Sequence, residues 1–224
     1  PSDKELPQEE YEILLHTLFK KYDIHACIIA SVVDELNRVV KHAADNVFHI
    51  NSMLLTNKLN LGIKLKLKNP KEAGADRIAN ACGAYVLYSK PAIIVDLGTA
   101  TTFDIIDKNG DFLGGVIMPG LNLQFRALNN STSKLPKIEA DTVDKAIGDN
   151  TSDAILSGVI RGSACAIEGL IRQCEDELGE KATIIATGGY SGLISKYMNR
   201  EFDFVNPYLT LEGLRFLYEL NVNL

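Results

Sequence analysis

The first third of the chain alternates between helical and strand-like hydrophobic patterns. Apolar residues recur at helical spacing over residues 8–22, which predicts an amphipathic helix. The apolar run 26–33 predicts a buried strand, a helix is expected over residues 34–43, and residues 47–50 are expected to form another short strand. A further helix is predicted to begin near Asp76. This alternation indicates an α/β domain with parallel strand pairing.

From about residue 90 the pattern starts again. A buried strand begins at Ala92 and returns after a polar turn as an alternating strand, and the pair Asn109-Gly110 predicts a tight hairpin. The other expected elements are a strand in FLGGVIMPG, an irregular segment to Asp149, a helix over 152–178, a strand over 183–187, a helix after Gly188-Gly189 and a helix over 211–220. The restart predicts two domains, residues 1–89 and 90–224.

Composition narrows the class of protein. The chain has 224 residues, of which 46% are hydrophobic, so it can bury substantial cores and is not of a disordered or fibrous type. The formal net charge is -6 and the basic residues are not clustered, which argues against a nucleic-acid partner and favours a small molecule. The longest apolar runs are far shorter than the ~18 residues of a membrane span, so no membrane partner is expected.

The cysteines give a prediction about the compartment. They form no C-x-x-C pair and lie among apolar residues, which is typical of reduced core residues in a cytoplasmic protein. The four residues are Cys27, Cys82, Cys165 and Cys174.

The polar turn after residue 95 is a candidate anion or cation site. Asp96 stands at a strand end, Gly98 allows close backbone approach, and Thr99, Thr101 and Thr102 supply hydroxyls. A carboxylate at a strand tip can hold a cation, while glycine amides and threonine hydroxyls suit phosphate oxygens. The same residues also suit a hairpin whose hydroxyls satisfy local backbone groups, and the turn alone leaves both interpretations open.

Three further positions have a functional and a structural interpretation. Gly188-Gly189 suits contact with a planar base or ribose, or only a tight strand-to-helix turn. Asp76 with Arg77 suits a general base beside an anion-binding cation, although a first-turn carboxylate also complements the helix dipole. Thr151 has the residue type and position of a helix N-cap. From spacing alone the structural interpretation of Asp76 is favoured.

A stripe of small residues marks the helix after Thr151. Gly158, Gly162, Ala166 and Gly169 recur along it, and each interior glycine costs up to ~1 kcal/mol relative to alanine. Close helix packing would offset that cost. The partner is either another element of this chain or the same helix of a second subunit, and the sequence leaves both open.

Five motifs follow one another along the chain: NPKEAGADRIAN (69–80), DLGTATTFD (96–104), GGVIMPG (114–120), SKLP (133–136) and ATGG (186–189). Together they resemble, in the same order, those of type III pantothenate kinases, members of the superfamily of acetate kinase, sugar kinases, Hsp70 and actin. The resemblance runs from about Tyr11 to the C-terminus. It implies an α/β protein of two ribonuclease H-like domains, the actin-like ATPase fold, with a nucleotide cleft between them.

On the nucleotide side, the resemblance implies ATP with Mg²⁺ and a monovalent cation, potassium or ammonium. Asp96 matches the ligand of that monovalent cation. Gly98 and Thr99 match the second phosphate motif, and Thr99 is implied as an ATP contact. Gly188 and Gly189 match the adenosine motif.

On the acceptor side, the resemblance changes the interpretation of Asp76. Gly74, Ala75, Asp76 and Arg77 match the pantothenate-binding stretch, and Asp76 matches the proton acceptor. Thr151 matches a further pantothenate contact. Family dimers build this pocket across the subunit interface, so the resemblance implies a homodimer.

The sequence departs from the family pattern in two places. Leu67 stands where many members have a tyrosine near the substrate, so one pocket contact is expected to be apolar. Members also begin with an Asp-x-Gly-Asn-Thr phosphate motif on the first strand, and no such motif precedes Gln8. We therefore expect the first strands of the N-terminal domain to be missing here and roughly 30 further residues upstream in the native protein.

The implied reaction is phosphorylation of pantothenate by ATP to 4'-phosphopantothenate, the first step of coenzyme A biosynthesis. Two alternatives stay open at this point. One is a kinase of the same superfamily for another small hydroxylated substrate, because the fold alone does not choose a substrate. The other is a non-enzymatic nucleotide-binding regulator of the Bvg accessory factor type.

Overall fold

The structure, a computed structural model, describes residues 6–131 and 138–222, and the SKLP motif lies outside them. The chain forms two compact units. Unit 1 comprises the residues up to Gly62, Lys68–Val86 and those from Thr210, and unit 2 comprises Ile63–Leu67 and Leu87–Leu209. The last helix thus groups with unit 1, whereas the sequence pattern placed it in the second domain. The predicted domain boundary at residue 90 stays a prediction.

The elements follow the α/β order expected from the hydrophobic pattern. The helices are α1 (Gln8–Phe19), α2 (Asp34–Phe48), α3 (Ala75–Leu87), α4 (Leu121–Ser131), α5 (Thr151–Leu156), α6 (Gly162–Leu178), α7 (Ser191–Ser195) and α8 (Leu209–Val222). The strands are β1 (Ile28–Ile29), β2 (Met53–Leu54), β3 (Ala92–Leu97), β4 (Ala100–Ile106), β5 (Phe112–Pro119), β6 (Thr183–Thr187) and β7 (Phe204–Val205). A 3₁₀ turn occupies Pro70–Glu72, and a π-helical segment, Ser157–Arg161, joins α5 to α6.

In unit 1, β1 and β2 pair in parallel, the kind of pairing that the alternating pattern predicted. β1 is only two half-buried residues of the buried strand expected over 26–33, and β2 was not predicted. The predicted strand at residues 47–50 is wrong. Ala44 and Phe48 keep the helical spacing, so α2 continues to Phe48 and ends at His49, whose φ of 54° is left-handed. Phe48 packs edge-to-face on Phe19 of α1, with ring centroids 5.9 Å apart. A four-residue apolar run fits a helix end as well as a strand, which explains the error.

The helices α3 and α8 cross closely within unit 1. A Cβ on Gly213 would overlap the carbonyl oxygen of Ala79 and would lie 3.0 Å from the amide nitrogen of Gly83. Beside the crossing, the Thr210 hydroxyl and the buried Asn80 side-chain oxygen form a 2.6 Å hydrogen bond. The crossing depends on a residue without a side chain at position 213.

Unit 2 is built on a five-stranded sheet in the order β5-β4-β3-β6-β7. β3 is antiparallel to β4 and parallel to β6, and β4 is antiparallel to β5. The expected hairpin turn at Asn109-Gly110 is confirmed: Gly110 has a φ of 83°, and Asp107 Oδ1 accepts from the Asn109 amide at 2.8 Å. The largest buried side chains of the unit 2 core include Ile93, Leu97, Phe103, Leu121, Ile160, Ile167, Ile171 and Ile184.

One α-helix and one strand of unit 2 were not expected. The segment predicted to be irregular up to Asp149 contains α4, which is anchored by the buried side chains of Leu121 and Phe125, one turn apart. Its Asn- and Ser-rich end hides this short apolar spacing. The strand β7 is only Phe204–Val205, too short for an alternating pattern to appear.

The predicted helix over residues 152–178 is confirmed, with a π segment that the pattern did not predict. Among the described residues, no atom lies within 4 Å of a Cβ built on Gly158, Gly162 or Gly169, so the described part of the chain leaves these three positions open. Cys165 on α6 is exposed. By length and composition the run Thr151–Leu178 could cross a membrane, which is weak evidence because helices of soluble proteins pass the same test.

A buried ion pair joins the end of α6 to the chain before β7. The Glu175 side chain is 3% exposed and accepts two hydrogen bonds from Arg200, at 2.8 and 2.9 Å. It also accepts from Lys181 Nζ at 2.8 Å and from the Ala182 amide at 3.1 Å. The hydrogen bonds from Arg200 are the main reason that the pKa of Glu175 falls to about 2.

Candidate functional site

Three turns of unit 2 meet at one edge of the sheet. Asp96 near the end of β3 stands opposite Thr187 at the end of β6, and β5 runs parallel to β3 because both are antiparallel to β4. The turns that follow β3, β5 and β6 therefore lie together. The carboxyl edge of a sheet with parallel strands is where α/β proteins commonly bind ligands.

Backbone hydrogen bonds hold these turns against each other. The Tyr190 amide donates to the carbonyl of Leu97 at 3.3 Å, and the Gly120 amide donates to the carbonyl of Thr99 at 3.2 Å. Within the first turn, the Gly98 amide donates to the carbonyl of Ala100 at 3.1 Å. The turn after β3 is thus supported from both sides by chain segments that are distant in sequence.

Glycine at position 188 is required by the space between the turns. Gly188 has a φ of 86°, and a Cβ on it would lie 2.6 Å from the carbonyl carbon of Leu97 and 2.7 Å from Asp96 Oδ1. Gly189 next to it has no atom of the described residues within 4 Å of a Cβ position. The first glycine therefore serves the fold, while the second faces open space.

That open space is a cavity of about 530 Å³. Its lining includes Gly98, Thr99 and Gly189, three of the predicted ATP-binding residues; the fourth, Gly188, lies behind them against Asp96. The other lining residues are Leu97, Asn122, Leu123, Arg126 and Tyr190. Four of these five come from α4 or from the turn before α7, and the sequence reasoning missed them.

A second cavity, of about 400 Å³, shares part of this lining. Asn122, Arg126 and Tyr190 line both cavities, and the second adds Phe125, Asn129 and residues 138–140. Helical spacing places Asn122, Arg126 and Asn129 on one face of α4. The two spaces are therefore neighbouring parts of one surface along this helix.

The polar residues of the first turn differ in exposure. Asp96 is half-buried, and Thr99 is exposed in the turn. Thr101 and Thr102 belong to β4 rather than to the turn, and the Thr101 side chain is buried. The hydroxyl available to a ligand at the turn is therefore that of Thr99.

The predicted acceptor residues lie in unit 1, where α3 begins. The Ile78 amide donates to the carbonyl of Gly74 at 3.0 Å, which starts the helix. Asp76 is exposed in the first turn, and its Oδ1 accepts from the Arg77 amide at 2.8 Å. Ala75 and Arg77 are half-buried. The four residues are contiguous, and their predicted roles stay predictions.

Thr151 is not the N-cap that its position suggested. Asn150 is the cap, because its side-chain oxygen accepts from the Asp153 amide at 3.0 Å, and Thr151 is the exposed first residue of α5. Thr151 lines a third cavity, of about 580 Å³, with residues of α4, α5 and the π segment. This cavity is mainly apolar, and its α4 residues, Gln124, Ala127 and Leu128, are not those that line the first two.

Two other expectations concern Leu67 and the cysteines. Leu67 lies beside β5, where its Cδ2 would be 3.2 Å from a Cβ on Gly114, so its effect on a substrate pocket stays a prediction. All four cysteines are free thiols. Cys82 is buried, and burial raises its pKa to about 12, but the exposed Cys165 is not the core residue that was expected.

Comparisons with known proteins place the chain in a family. Residues 1–173 match the family model of type III pantothenate kinase. A type III pantothenate kinase of Dehalococcoides mccartyi (strain CBDB1) is 44% identical over 95% of this chain and 82% of its own length. One from Moorella thermoacetica (strain ATCC 39073 / JCM 9320) is 38% identical over 98% of this chain and 88% of its own.

A solved structure supports the fold. A Campylobacter jejuni protein described as a Baf family transcriptional activator aligns with a TM-score of 0.63 over 93% of this chain and 89% of its own. At 22% identity this likeness concerns the fold alone. Since the family model covers most of the sequence and two relatives match nearly all of it, the chain belongs to the type III pantothenate kinase family.

Proposed function

We propose that this protein transfers the γ-phosphoryl group of ATP to the primary hydroxyl of pantothenate, which gives 4'-phosphopantothenate in the first step of coenzyme A biosynthesis. One observation carries the proposal within the family: Gly98, Thr99 and Gly189, predicted independently from two motifs, line one cavity at the carboxyl edge of the unit 2 sheet. The cavity combines exposed backbone, a hydroxyl and a cationic side chain, which suits a nucleotide with its phosphates.

Three of the four predicted nucleotide residues have a role that their surroundings support. The Thr99 hydroxyl is exposed at the turn and orients a phosphate group. Gly98 lets the chain approach that phosphate closely, and Gly189 presents a flat surface to the nucleoside. Phosphoryl transfer depends mainly on positioning and charge stabilisation, so a rigid turn held by backbone hydrogen bonds is well suited to it.

Two kinds of cation, a monovalent ion and Mg²⁺, would be bound by oxygen ligands in this site. Asp96 is half-buried beside the phosphate turn and supplies the carboxylate that would hold a monovalent cation, potassium or ammonium, which would offset phosphate charge. The described residues contain no group of three or more His, Cys, Asp or Glu suited to a metal. Mg²⁺ would be held mainly by the phosphates and water, with at most one or two carboxylates from the protein.

The acceptor side requires a base. The pantothenate hydroxyl oxygen forms the new bond to the γ-phosphorus, the bond from that phosphorus to the β-γ bridging oxygen breaks, and ADP leaves. Asp76 accepts the hydroxyl proton, since it is exposed at the start of α3 and a backbone amide holds its carboxylate in place. Gly74, Ala75 and Arg77 bind the rest of pantothenate, with Arg77 facing its carboxylate.

The proposal extends to the architecture and the assembly. It includes two ribonuclease H-like domains, a cytoplasmic location and a homodimer. The open face of Gly158, Gly162 and Gly169, next to the apolar cavity of Thr151, supports a second copy as the partner, because close approach of helices needs small residues. In the dimer, Thr151 contributes to the pantothenate pocket.

A coupled assay of ATP consumption tests the activity. The full-length protein should turn over ATP with pantothenate but not with a panel of sugars and other hydroxy acids. Asp76→Asn should lower kcat by ~10² to 10⁴ with little change in pantothenate binding, because it removes a general base and keeps the size of the side chain. Glu72→Gln, a neighbouring exposed carboxylate, is the matched control and should be unaffected. Turnover of another acceptor instead would identify a different superfamily kinase, and nucleotide binding without any turnover would indicate a regulator.

Subunit mixing and thiol accessibility test the dimer. A mixture of inactive Asp76→Asn and Thr151→Val subunits should regain activity if each pocket draws on both chains. Cys165, exposed in the single chain, should react slowly with an alkylating reagent in the native protein and fast after dissociation. Fast reaction in a species of monomer mass would argue against the dimer.

A further inference from the structure

Arg126 is a cation within the candidate nucleotide site to which no motif assigned a role. It lies on α4, its side chain is exposed, and it lines both the cavity of the phosphate turn and the neighbouring cavity of Asn129. Among the described residues, none forms a hydrogen bond or an ion pair with its guanidinium. An exposed arginine in a concave site with exposed glycine backbone and a threonine hydroxyl has the donors that bind phosphate in two parallel hydrogen bonds.

The position of Arg126 is fixed by the packing of α4. Leu121 and Phe125, on an adjoining face of the helix, are buried in the core of unit 2. At the start of the helix, Gln124 Nε2 donates to the carbonyl of Pro119 at 2.9 Å and to Ser163 Oγ at 3.1 Å. The helix is therefore held against the sheet and against α6. This anchoring limits the movement of the Arg126 backbone relative to the phosphate turn.

The residues that line the two cavities suit different parts of a nucleotide. On one side of Arg126 lie Gly98 and Thr99, which suit phosphate oxygens. On the other side lie Asn129 and Glu139, which suit hydroxyl and amino groups and would repel phosphate. Arg126 stands where the two parts meet.

We propose that Arg126 is a nucleotide-binding residue, which contacts the phosphates of ATP from α4 while the nucleoside lies against Gly189 and extends toward Asn129 and Glu139. This inference rests on the proposed function, since it requires ATP in this cavity. The other anion of the reaction, the carboxylate of pantothenate, has the same hydrogen-bonding chemistry. The nucleotide is favoured because the same cavity contains Gly98, Thr99 and Gly189.

Binding measurements on the full-length protein test the inference. ADP and adenosine are titrated by calorimetry into the wild type, Arg126→Gln, Arg126→Lys and the control Arg172→Gln, an exposed arginine of α6 outside the cavities. Arg126→Gln should weaken the binding of ADP by about 10- to 100-fold, which is the range for the loss of a charged hydrogen bond, and should leave the binding of adenosine nearly unchanged. Arg126→Lys should recover part of the ADP affinity, because it keeps the charge without the planar fork. The control should bind like the wild type.

The outcomes separate this inference from the proposed function. Undiminished ADP binding by Arg126→Gln in a protein that phosphorylates pantothenate overturns the inference alone. An equal loss for ADP and adenosine also overturns it, because the arginine would then serve the nucleoside or the fold. A raised KM for pantothenate with unchanged ADP affinity assigns Arg126 to the acceptor instead. Failure of the wild type to bind ADP or to use ATP overturns the proposed function, and this inference with it.

Discussion

The two glycines of the ATGG motif should respond differently to the same substitution. Gly188→Ala places a Cβ 2.6 Å from the carbonyl carbon of Leu97 and 2.7 Å from its amide nitrogen, at a φ of 86°. Both neighbours are backbone atoms of β3, so they cannot rotate away. The left-handed φ costs ~1–2 kcal/mol for a residue with a side chain, and overpacking costs ~1–3 kcal/mol. We expect Gly188→Ala to lose about 2 to 5 kcal/mol of stability.

Gly189→Ala is the matched control for this loss. Among the described residues, no atom lies within 4 Å of its Cβ position, and its φ lies outside the left-handed region. Stability should therefore stay the same or rise by up to ~1 kcal/mol, because alanine restricts the unfolded chain. The added methyl group enters the cavity of Gly98 and Thr99, however, so it should raise the KM for ATP.

Thermal unfolding and steady-state kinetics measure the two effects separately. Gly188→Ala should lower Tm by about 4 to 20 °C, at about 2–4 °C per kcal/mol for a protein of this size. Gly189→Ala should keep the wild-type Tm and pantothenate KM while its KM for ATP rises. A Gly188→Ala protein with wild-type Tm and ATP KM would show that the turn is not packed as described. An unchanged ATP KM in Gly189→Ala would exclude contact between that residue and the nucleotide.

Three further predictions concern charge and packing. The pKa of Glu175 is lowered from 4.5 to about 2. Its contribution to the free energy of unfolding is therefore fully present above pH 4.5 and is lost as the pH falls toward 2. In urea unfolding at pH 7, Glu175→Gln should have a free energy of unfolding about 3 kcal/mol below that of the wild type, and this free energy should depend less on pH in the acid range. The same pH dependence in the variant and the wild type would refute this prediction. Gly213→Ala should lower the free energy of unfolding by about 3 kcal/mol, because its Cβ would overlap α3, whereas Gly192→Ala should leave it unchanged. Equal urea midpoints for the two variants would contradict the close crossing of α3 and α8. Asp96→Asn should reduce the stimulation of ATP turnover by potassium, and an unchanged potassium titration would remove Asp96 from that role.

Much of the fold was predicted from patterns inside single elements. The helix beginning at Gln8, the strand over 183–187 and the hairpin at Asn109-Gly110 were recognised because periodicity and turn chemistry are local properties. The first helix ends at Phe19, three residues before the predicted end. The wrong or missing predictions concern segments whose apolar pattern is short or fits both a helix and a strand. The run at residues 47–50 fits a helix end and a strand equally well, and α4 shows its apolar face in two buried residues, Leu121 and Phe125.

For the candidate site, too, some features could be predicted from the sequence and others only from the tertiary structure. The sequence by itself marked Asp96, Gly98 and Thr99, and the glycine pair at 188 and 189, as candidate ligand contacts, because residue types at a strand end limit what can bind there. Only the tertiary structure decided that these motifs meet and that Arg126 joins them. The reason is that the parallel register of β3 and β6 pairs residues about 90 positions apart, Asp96 with Thr187, through contacts that no local pattern specifies.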